Sequence, residues 1–366
     1  MKLIKFVDLK DQWKAEKSKL LPLIDKILSS GEFVGGKEID FFEKKIATYT
    51  KSKYAVALNS GTDALTIGLH LLGVKKGDEV ITPPNSFVAS TASIIHIGAK
   101  PVFVDVCDDQ NIDPYKIEKA ITKKTKAIMP VHLTGRMCNM KLIYEISKKY
   151  NIPVIEDAAQ SIGSKFNNKF PGHYSKLACY SAHPLKNLNA FGDSGYITTN
   201  NYNIAKMAKT LSNHGIQDRN KINFFGFVSR MDNLQAGILN FHLKNLKKII
   251  RKRRKNAEIY YKLLNRDKIF IPIKNKYNYD TFHTFVIQVN KRKELQKYLL
   301  SKGVMTSIHY PVPIHLQPAS KHLGYKKGDF PIAEKQSNRI LSIPINQYLS
   351  ENKIIKISHL INKFFN

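Results

Sequence analysis

Three short stretches of the chain end in residues able to do covalent or acid–base chemistry. In SAHPLKNLNAFGDSG (181–195), Lys186 sits between a Ser-Ala-His-Pro lead and a glycine-bearing run. A lysine is ordinarily a solvated charge. One held at a strand end, in surroundings that lower its pKa, is an amine nucleophile. In PVIEDAAQS (153–161), Asp157 closes a mostly apolar run. A carboxylate buried there needs a partner, which a protonated ring nitrogen would supply; otherwise it caps the next helix. Gln160 follows one turn later, and two alanines leave room beside the chain. In ALNSGTDAL (57–65), an apolar run passes through Asn-Ser-Gly-Thr into a helical pattern. Backbone N–H groups at a helix start, beside Gly61 and two hydroxyls, attract an anion. The same residues also read as an ordinary N-cap by Ser60 or Thr62. Asp63 in the first turn suits the helix dipole. The stretch is neither a Walker loop nor a Rossmann fingerprint.

Ser181 lies near another strand end, where its hydroxyl can reach a phosphate. An anion cradle, a carboxylate for a ring nitrogen and an amine for a carbonyl are together what pyridoxal phosphate requires of a protein. The carboxylate keeps the ring nitrogen protonated, so that the ring can accept electrons from a carbanion.

The elements that must position these groups are legible as an alternation. Apolar or β-branched runs occur at 54–58, 79–83, 101–106, 127–133, 153–159, 178–183 and 195–200, with helical patterns between many of them. Several are continuously apolar, as strands covered on both faces are. The pattern predicts an α/β fold, a wound and mainly parallel sheet flanked by helices, with ligands at the carboxyl ends of the strands. After about residue 240 the pattern changes. In LKKIIRKRRKNAEIYYKLL (246–264), Leu246, Ile249, Ile250, Ala257, Tyr260, Tyr261 and Leu264 recur at roughly helical spacing, which predicts a long helix with a basic exposed face. A smaller mixed region and an amphipathic C-terminal helix (351–366) follow. The expected division is a large cofactor-binding domain, 1–240, and a smaller α+β domain, 241–366, that begins with the long helix.

With 366 residues, 43% of them hydrophobic, the chain can bury a sizeable core. The net charge of +30 raises the possibility of nucleic-acid binding. Most of its lysines are scattered, however, and the concentrated run reads as a solvated helix face, so no nucleic-acid partner is expected. A basic surface also attracts anionic small substrates. Cys107, Cys138 and Cys179 are far apart and read as free thiols, not as a metal site. No apolar run is long enough to cross a bilayer, and the charged start MKLIKFVDLKDQWK lacks a signal-peptide core. The expected location is cytoplasmic, away from membranes.

NSGTDAL, GDEVITPPNSFVAS, VIEDAAQS, SAHPLKNLNAFGDSG, SRMDNLQA and HYPVPIHLQPA occur in this order over nearly the whole chain. In these motifs the chain resembles the DegT/StrS family of pyridoxal-phosphate nucleotide-sugar aminotransferases. The resemblance implies fold type I, a seven-stranded sheet and a homodimer with shared active sites. Lys186 would form the Schiff base, Asp157 would pair with the pyridine nitrogen, and Gln160 would lie by the ring hydroxyl. Gly61, Thr62 and Ser181 would hold the phosphate, and Phe87 would stack on the ring unless it is simply a core aromatic. The family often has an asparagine two residues before the arginine of its G-x-N-x-R-M segment, reaching the neighbouring subunit's phosphate. Here the segment is GFVSRM, and Val228 has no donor at that position. Ser229 or Arg230 would compensate, or the contact is missing. His309, Tyr310 and His315 match the family's late HYPxPLHLQ segment near the sugar-nucleotide entrance, or else form a structural turn. His183 either faces the sugar or fills space.

The implied reaction moves an amino group from L-glutamate to a nucleotide-linked keto-sugar in two half-reactions, through pyridoxal and pyridoxamine forms of the cofactor. The GDSG ending is closer to members reading GDGG, many of which aminate C3, than to those reading GEGG, which often act at C4. A dTDP- or UDP-linked sugar aminated at C3 is therefore the expected substrate, with C4 amination as the alternative. Family dehydratases carry histidine in place of the lysine, and Lys186 argues against that chemistry. A basic nucleic-acid-binding or regulatory protein is the distant rival, and it leaves the ordered motifs unexplained.

Overall fold

The computed structural model describes residues 3–218 and 221–366. Each of the seven runs forms a strand: β1 Tyr54–Leu58, β2 Glu79–Thr82, β3 Lys100–Phe103, β4 Thr125–Ile128, β5 Ile155–Asp157, β6 Leu177–Ser181 and β7 Gly195–Thr199. Ladders join β3-β2-β4 and β5-β6-β7-β1. Bridges Ile128–Val154 and Val131–Asp157 unite them in one sheet of order 3-2-4-5-6-7-1. Its pairings are parallel except those of β7, which runs antiparallel to β6 and β1.

The sheet is apolar on both faces because its strands alternate between two cores. Val56, Leu58, Leu177, Cys179 and Ile197 pack with Leu65 and Leu69 of the helix Gly61–Leu71. Ala55, Ala57, Ala178, Tyr180 and Tyr196 pack on the opposite face with Phe42, Ile46, Leu239, Leu246 and Ile250. Tyr180 and Tyr196 are cross-strand partners whose rings stack with centroids 4.7 Å apart, a contact worth about 1 kcal/mol beyond the area buried.

Several strands are shorter than their apolar runs. After β4 the chain leaves the sheet through His132 and a turn at Leu133–Gly135, so apolar residues there line the site instead of extending the strand. The long helix spans Asn233–Leu263 and starts well before Leu246. Leu246, Ile250, Ala257 and Tyr260 are buried as their spacing predicts. Lys247, Lys248, Arg251 and Lys255 are exposed. Arg253 departs from the basic-face reading: it is buried and donates from Nη1 to the carbonyls of Phe282 and His283, each at 3.1 Å.

The helix runs unbroken through residue 240 and also packs into a C-terminal core. There the antiparallel strands Phe285–Gln288 and Ile340–Ile343 lie with the helices Arg292–Ser301 and Glu351–Phe365 around Tyr260, Ile287, Leu295 and Ile357. Ile4 belongs to this core too, with backbone bonds to Gly303 and Met305. Among the described residues, no helix is long and apolar enough to cross a membrane.

Candidate active site

Asp157 ends β5 with only 4% of its surface exposed. Its backbone is fixed by Asp157 N donating to Pro130 O and His132 N donating to Asp157 O, both at 3.0 Å. Its carboxylate accepts from Ser90 Oγ at 2.7 Å and from Ala159 N at 3.1 Å. The aspartate thus makes the local turn that a capping residue makes and is also buried under a dedicated hydroxyl. Glu156, one residue earlier, points the other way in the strand. It accepts from His132 Nε2 at 2.7 Å, Gly172 N at 2.7 Å and Ser175 Oγ at 2.6 Å. His132 Nδ1 accepts from Cys138 N at 3.2 Å, so the ring proton sits on Nε2.

Lys186 is half-buried, in a loop closed at its base by Ala190 N donating to Ala182 O at 2.7 Å. A tight turn from Lys186 N to His183 O (2.8 Å) shapes the loop, and Asn187 Nδ2 anchors it to Thr281 O at 3.1 Å. Desolvation pushes the Lys186 amine down to about 8, while the charge of Asp157 pulls the other way. Burial, with a smaller contribution from Lys186, pushes His309 down to about 4. His283 is driven well below its ordinary value by burial, then by Lys186, Arg253, His309 and His183. Lys186 therefore interacts with the neutral imidazoles of His283 and His309 and with one carboxylate, that of Asp157. His309 shares a 2.8 Å bond between Nδ1 and Ser342 Oγ. Burial raises the Tyr310 hydroxyl to about 12, Asp157 adding to the effect and a bond with Gln160 opposing it. Gln160 Oε1 in turn accepts from Thr134 N at 2.8 Å. Phe87, 54% exposed, faces Tyr310 with ring centroids 5.7 Å apart.

The ends of β1 and β6 meet at the start of the helix Gly61–Leu71. Ser60 is its N-cap, accepting from Asp63 N at 3.0 Å, which decides between Ser60 and Thr62. A Cβ on Gly61 would lie 2.6 Å from Ser181 Cβ, so only glycine lets the helix start abut that strand end. Gly195 is under the same constraint: its Cβ would come within 2.3 Å of the Ser60 backbone. The first intrahelical bond is Ala64 N to Ser60 O at 3.0 Å, and the N–H groups of Gly61 and Thr62 precede it. Asp63 accepts from Ser229 Oγ at 2.7 Å, so that hydroxyl is already engaged.

The structure thus brings Asp157, Gln160, Lys186, His183, His309, Tyr310 and Phe87 together, and sets Gly61 and Thr62 against Ser181. Two candidates sit in other surroundings. Arg230 is exposed, and its Nη1 donates to Asn213 at 3.2 Å; Val228 beside it is 59% exposed. His315 is buried, pairs through Nε2 with Glu334 at 3.0 Å and packs edge-on against Phe330. Sequence reading missed Ser90, His283 and the His132–Glu156 pair. Glu156 was the findable one, as a second carboxylate in an apolar run. The donor set fits pyridoxal phosphate: free N–H groups and a hydroxyl for an anion, a clamped carboxylate for a ring nitrogen, and an amine of lowered pKa.

The chain belongs to the DegT/DnrJ/EryC1/StrS aminotransferase family, whose model matches residues 14–362. It is 39% identical to a pleiotropic regulatory protein of Geobacillus stearothermophilus, over 99% of this chain and 98% of that one. It is 37% identical to dTDP-3-amino-3,6-dideoxy-alpha-D-galactopyranose transaminase of Aneurinibacillus thermoaerophilus, over 99% of each. Among solved structures, DesV of S. venezuelae, crystallised with a ketimine intermediate, superimposes with a TM-score of 0.97 at 32% identity. The match covers 100% of this chain and 99% of that one. The seven-stranded α/β architecture expected of a fold type I transferase is therefore the one found, and the protein is an aminotransferase.

Proposed function

We propose that the protein uses pyridoxal phosphate to move an amino group from L-glutamate to C3 of a dTDP- or UDP-linked keto-deoxysugar. The observation carrying this reading is the Lys186 amine, lowered to about 8 and facing the charge of an Asp157 clamped by Ser90. The named activity of the Aneurinibacillus relative, a 3-amino dTDP-sugar transaminase, supports the sugar position.

When bound, the cofactor supplies an aldehyde carbon that exchanges amines and a ring that takes up an electron pair. The rest falls to this chain. Gly61 and Thr62 N–H, with Ser181, hold the phosphate at the helix start. Asp157 keeps the ring nitrogen protonated, and Gln160 lies by the ring hydroxyl. Phe87, which faces Tyr310, would pack against the ring. Lys186 would act as the base that takes the proton from the Cα of the amino donor and as the acid that delivers a proton to the sugar carbon receiving the amine. His183 and the neutral imidazole of His309, with Tyr310, meet the sugar hydroxyls; His315 supports that segment from behind.

Two copies share the sites in this reading. Phe87, beside Tyr310, its neighbour Val88, and Leu185, next to Lys186, are exposed apolar side chains suited to burial by a second copy. Arg230 is the candidate for the phosphate contact across the dimer that Val228 cannot make. The division at 240/241 falls within the long helix, which acts as a shared strut, and the enzyme works in the cytoplasm.

The test is regiochemical. Supplied with L-[15N]glutamate and either the 3-keto or the 4-keto dTDP-6-deoxyhexose, the enzyme places label on C3 of the first and leaves the second unaminated. Label at C4 overturns the sugar assignment.

A further inference from the structure

Asn189, three residues past Lys186, is buried, and its carbonyl oxygen lies 2.5 Å from His242 Nδ1 in the long helix. A carbonyl only accepts, so Nδ1 carries a proton. His242 Nε2 lies 3.1 Å from Glu16 Oε2, on the helix Leu9–Ser29. That contact places the carboxylate on the far side of the ring from the Asn189 carbonyl, with His242 only 2% exposed. Gln12, also buried, exchanges two amide bonds with the Asn189 side chain, at 3.2 and 3.3 Å, and lies 3.4 Å from His242 Nε2. Tyr348 donates to the other Glu16 oxygen at 3.4 Å. Next in the loop, Phe191 N donates to Gln235 Oε1 at 2.9 Å, and the Phe191 ring stands edge-on to His242.

We propose that His242, with Glu16 and Gln12, is a positioning unit that fixes the reach of Lys186 through Asn189. The lysine loop is closed on itself at Ala182 and Ala190, so its shape is set by what pins its far side. Three hydrogen bonds do this: Asn187 on Thr281, Asn189 on the His242 unit, and Phe191 on Gln235. The Asn189 anchor is the one whose hydrogen bonds run on to the N-terminal helix, through Gln12 and through His242 to Glu16. Glu16 holds the imidazole in the orientation that aims Nδ1–H at the carbonyl, as a carboxylate orients a catalytic histidine elsewhere. A lysine that carries a proton between fixed atoms loses as much as about a hundredfold in rate when displaced by about 1 Å. The helix Leu9–Ser29 is thereby part of the site without touching substrate.

The proposal rests on Lys186 being the reactive amine, and its test separates the two. Hydrogen exchange of residues 187–191 is followed in the cofactor-free protein, and turnover in the loaded one, for His242→Leu, Glu16→Gln and His242→Asn. The first two variants are expected to exchange about tenfold faster in that segment. Their kcat falls about tenfold while KM for the sugar stays within about twofold. Asparagine at 242 places its Nδ2 where Nδ1 stood, and it restores part of both losses. Glu16→Gln keeps the shape and removes the charge, so it decides the matter if His242→Leu does not fold. Wild-type exchange in Glu16→Gln, or faster exchange with kcat intact, overturns the proposal. Failure of the lysine assignment shows separately, as borohydride fixing the cofactor to a residue other than Lys186.

Discussion

Ser90 Oγ donates a 2.7 Å hydrogen bond to Asp157 Oδ2, joining a helix after β2 to the end of β5 across 67 residues of sequence. Both side chains are buried, Ser90 completely. Removing the hydroxyl leaves one oxygen of a buried carboxylate without its donor. Ser90→Ala should therefore cost about 1–3 kcal/mol in chemical denaturation. It should also lower kcat more than it changes KM for the sugar, since Asp157 acts on the cofactor ring and not on substrate binding. Stability and kcat both at wild-type values would contradict this.

Lys186→Ala removes the one amine of lowered pKa at the site. Turnover should fall by about ten-thousandfold or more, with the fold retained in circular dichroism. The variant should still take up the cofactor noncovalently, because the phosphate and ring-nitrogen partners remain.

The Lys186 amine also sets a pH dependence in the cofactor-free protein. Burial lowers the folded-state value from 10.5 to about 8. Between those values the unfolded chain binds more protons than the folded one, so stability rises with pH across the window. Below about 8 the burial cost is present in full. Denaturation of wild type and Lys186→Met across this range should show the wild type gaining relative to the variant. Acylation of Lys186, followed by mass spectrometry, should accelerate through about pH 8.

Arg136 is buried and donates to Asp280 Oδ2 from Nε at 3.0 Å and from Nη2 at 2.7 Å, with Asp109 3.7 Å away. It links the turn after β4 to the segment leading into the strand Phe285–Gln288 of the C-terminal core. Arg136→Met strands Asp280, and a loss of about 3–5 kcal/mol is expected. Asp280→Asn should recover part of it in the double variant, and additive losses would argue against the pairing.

The sheet was readable because buried strands of an α/β fold write themselves as uninterrupted apolar runs, and because Asp157, Lys186 and Gly61 interrupt that pattern where strands end. The strand limits were not, since residues after β4 and β5 stay apolar while turning out to line the site. Ser90 carried no local signal: it lies within a run of small residues on an ordinary helix, and only the fold brings it to Asp157. His283 and His242 were silent for the same reason. His283 owes its character first to burial and then to Lys186 and Arg253, and His242 owes its own to Asn189 and Glu16, all set by the fold. The basic run at 246–264 misled at two neighbours: Arg253 faces inward to two carbonyls, and half-buried Arg254 donates to Asp280 O and lies over the Tyr279 ring.

The central claim is tested most directly by the visible absorbance of the protein saturated with pyridoxal phosphate, before and after addition of L-glutamate. The account predicts a long-wavelength band from the cofactor bound to Lys186, which glutamate converts to the shorter-wavelength spectrum of the aminated cofactor. It also predicts that Lys186→Ala lacks the first band. No band in the wild type after incubation with cofactor would contradict the assignment of Lys186, and a band that glutamate leaves unchanged would contradict the amino donor.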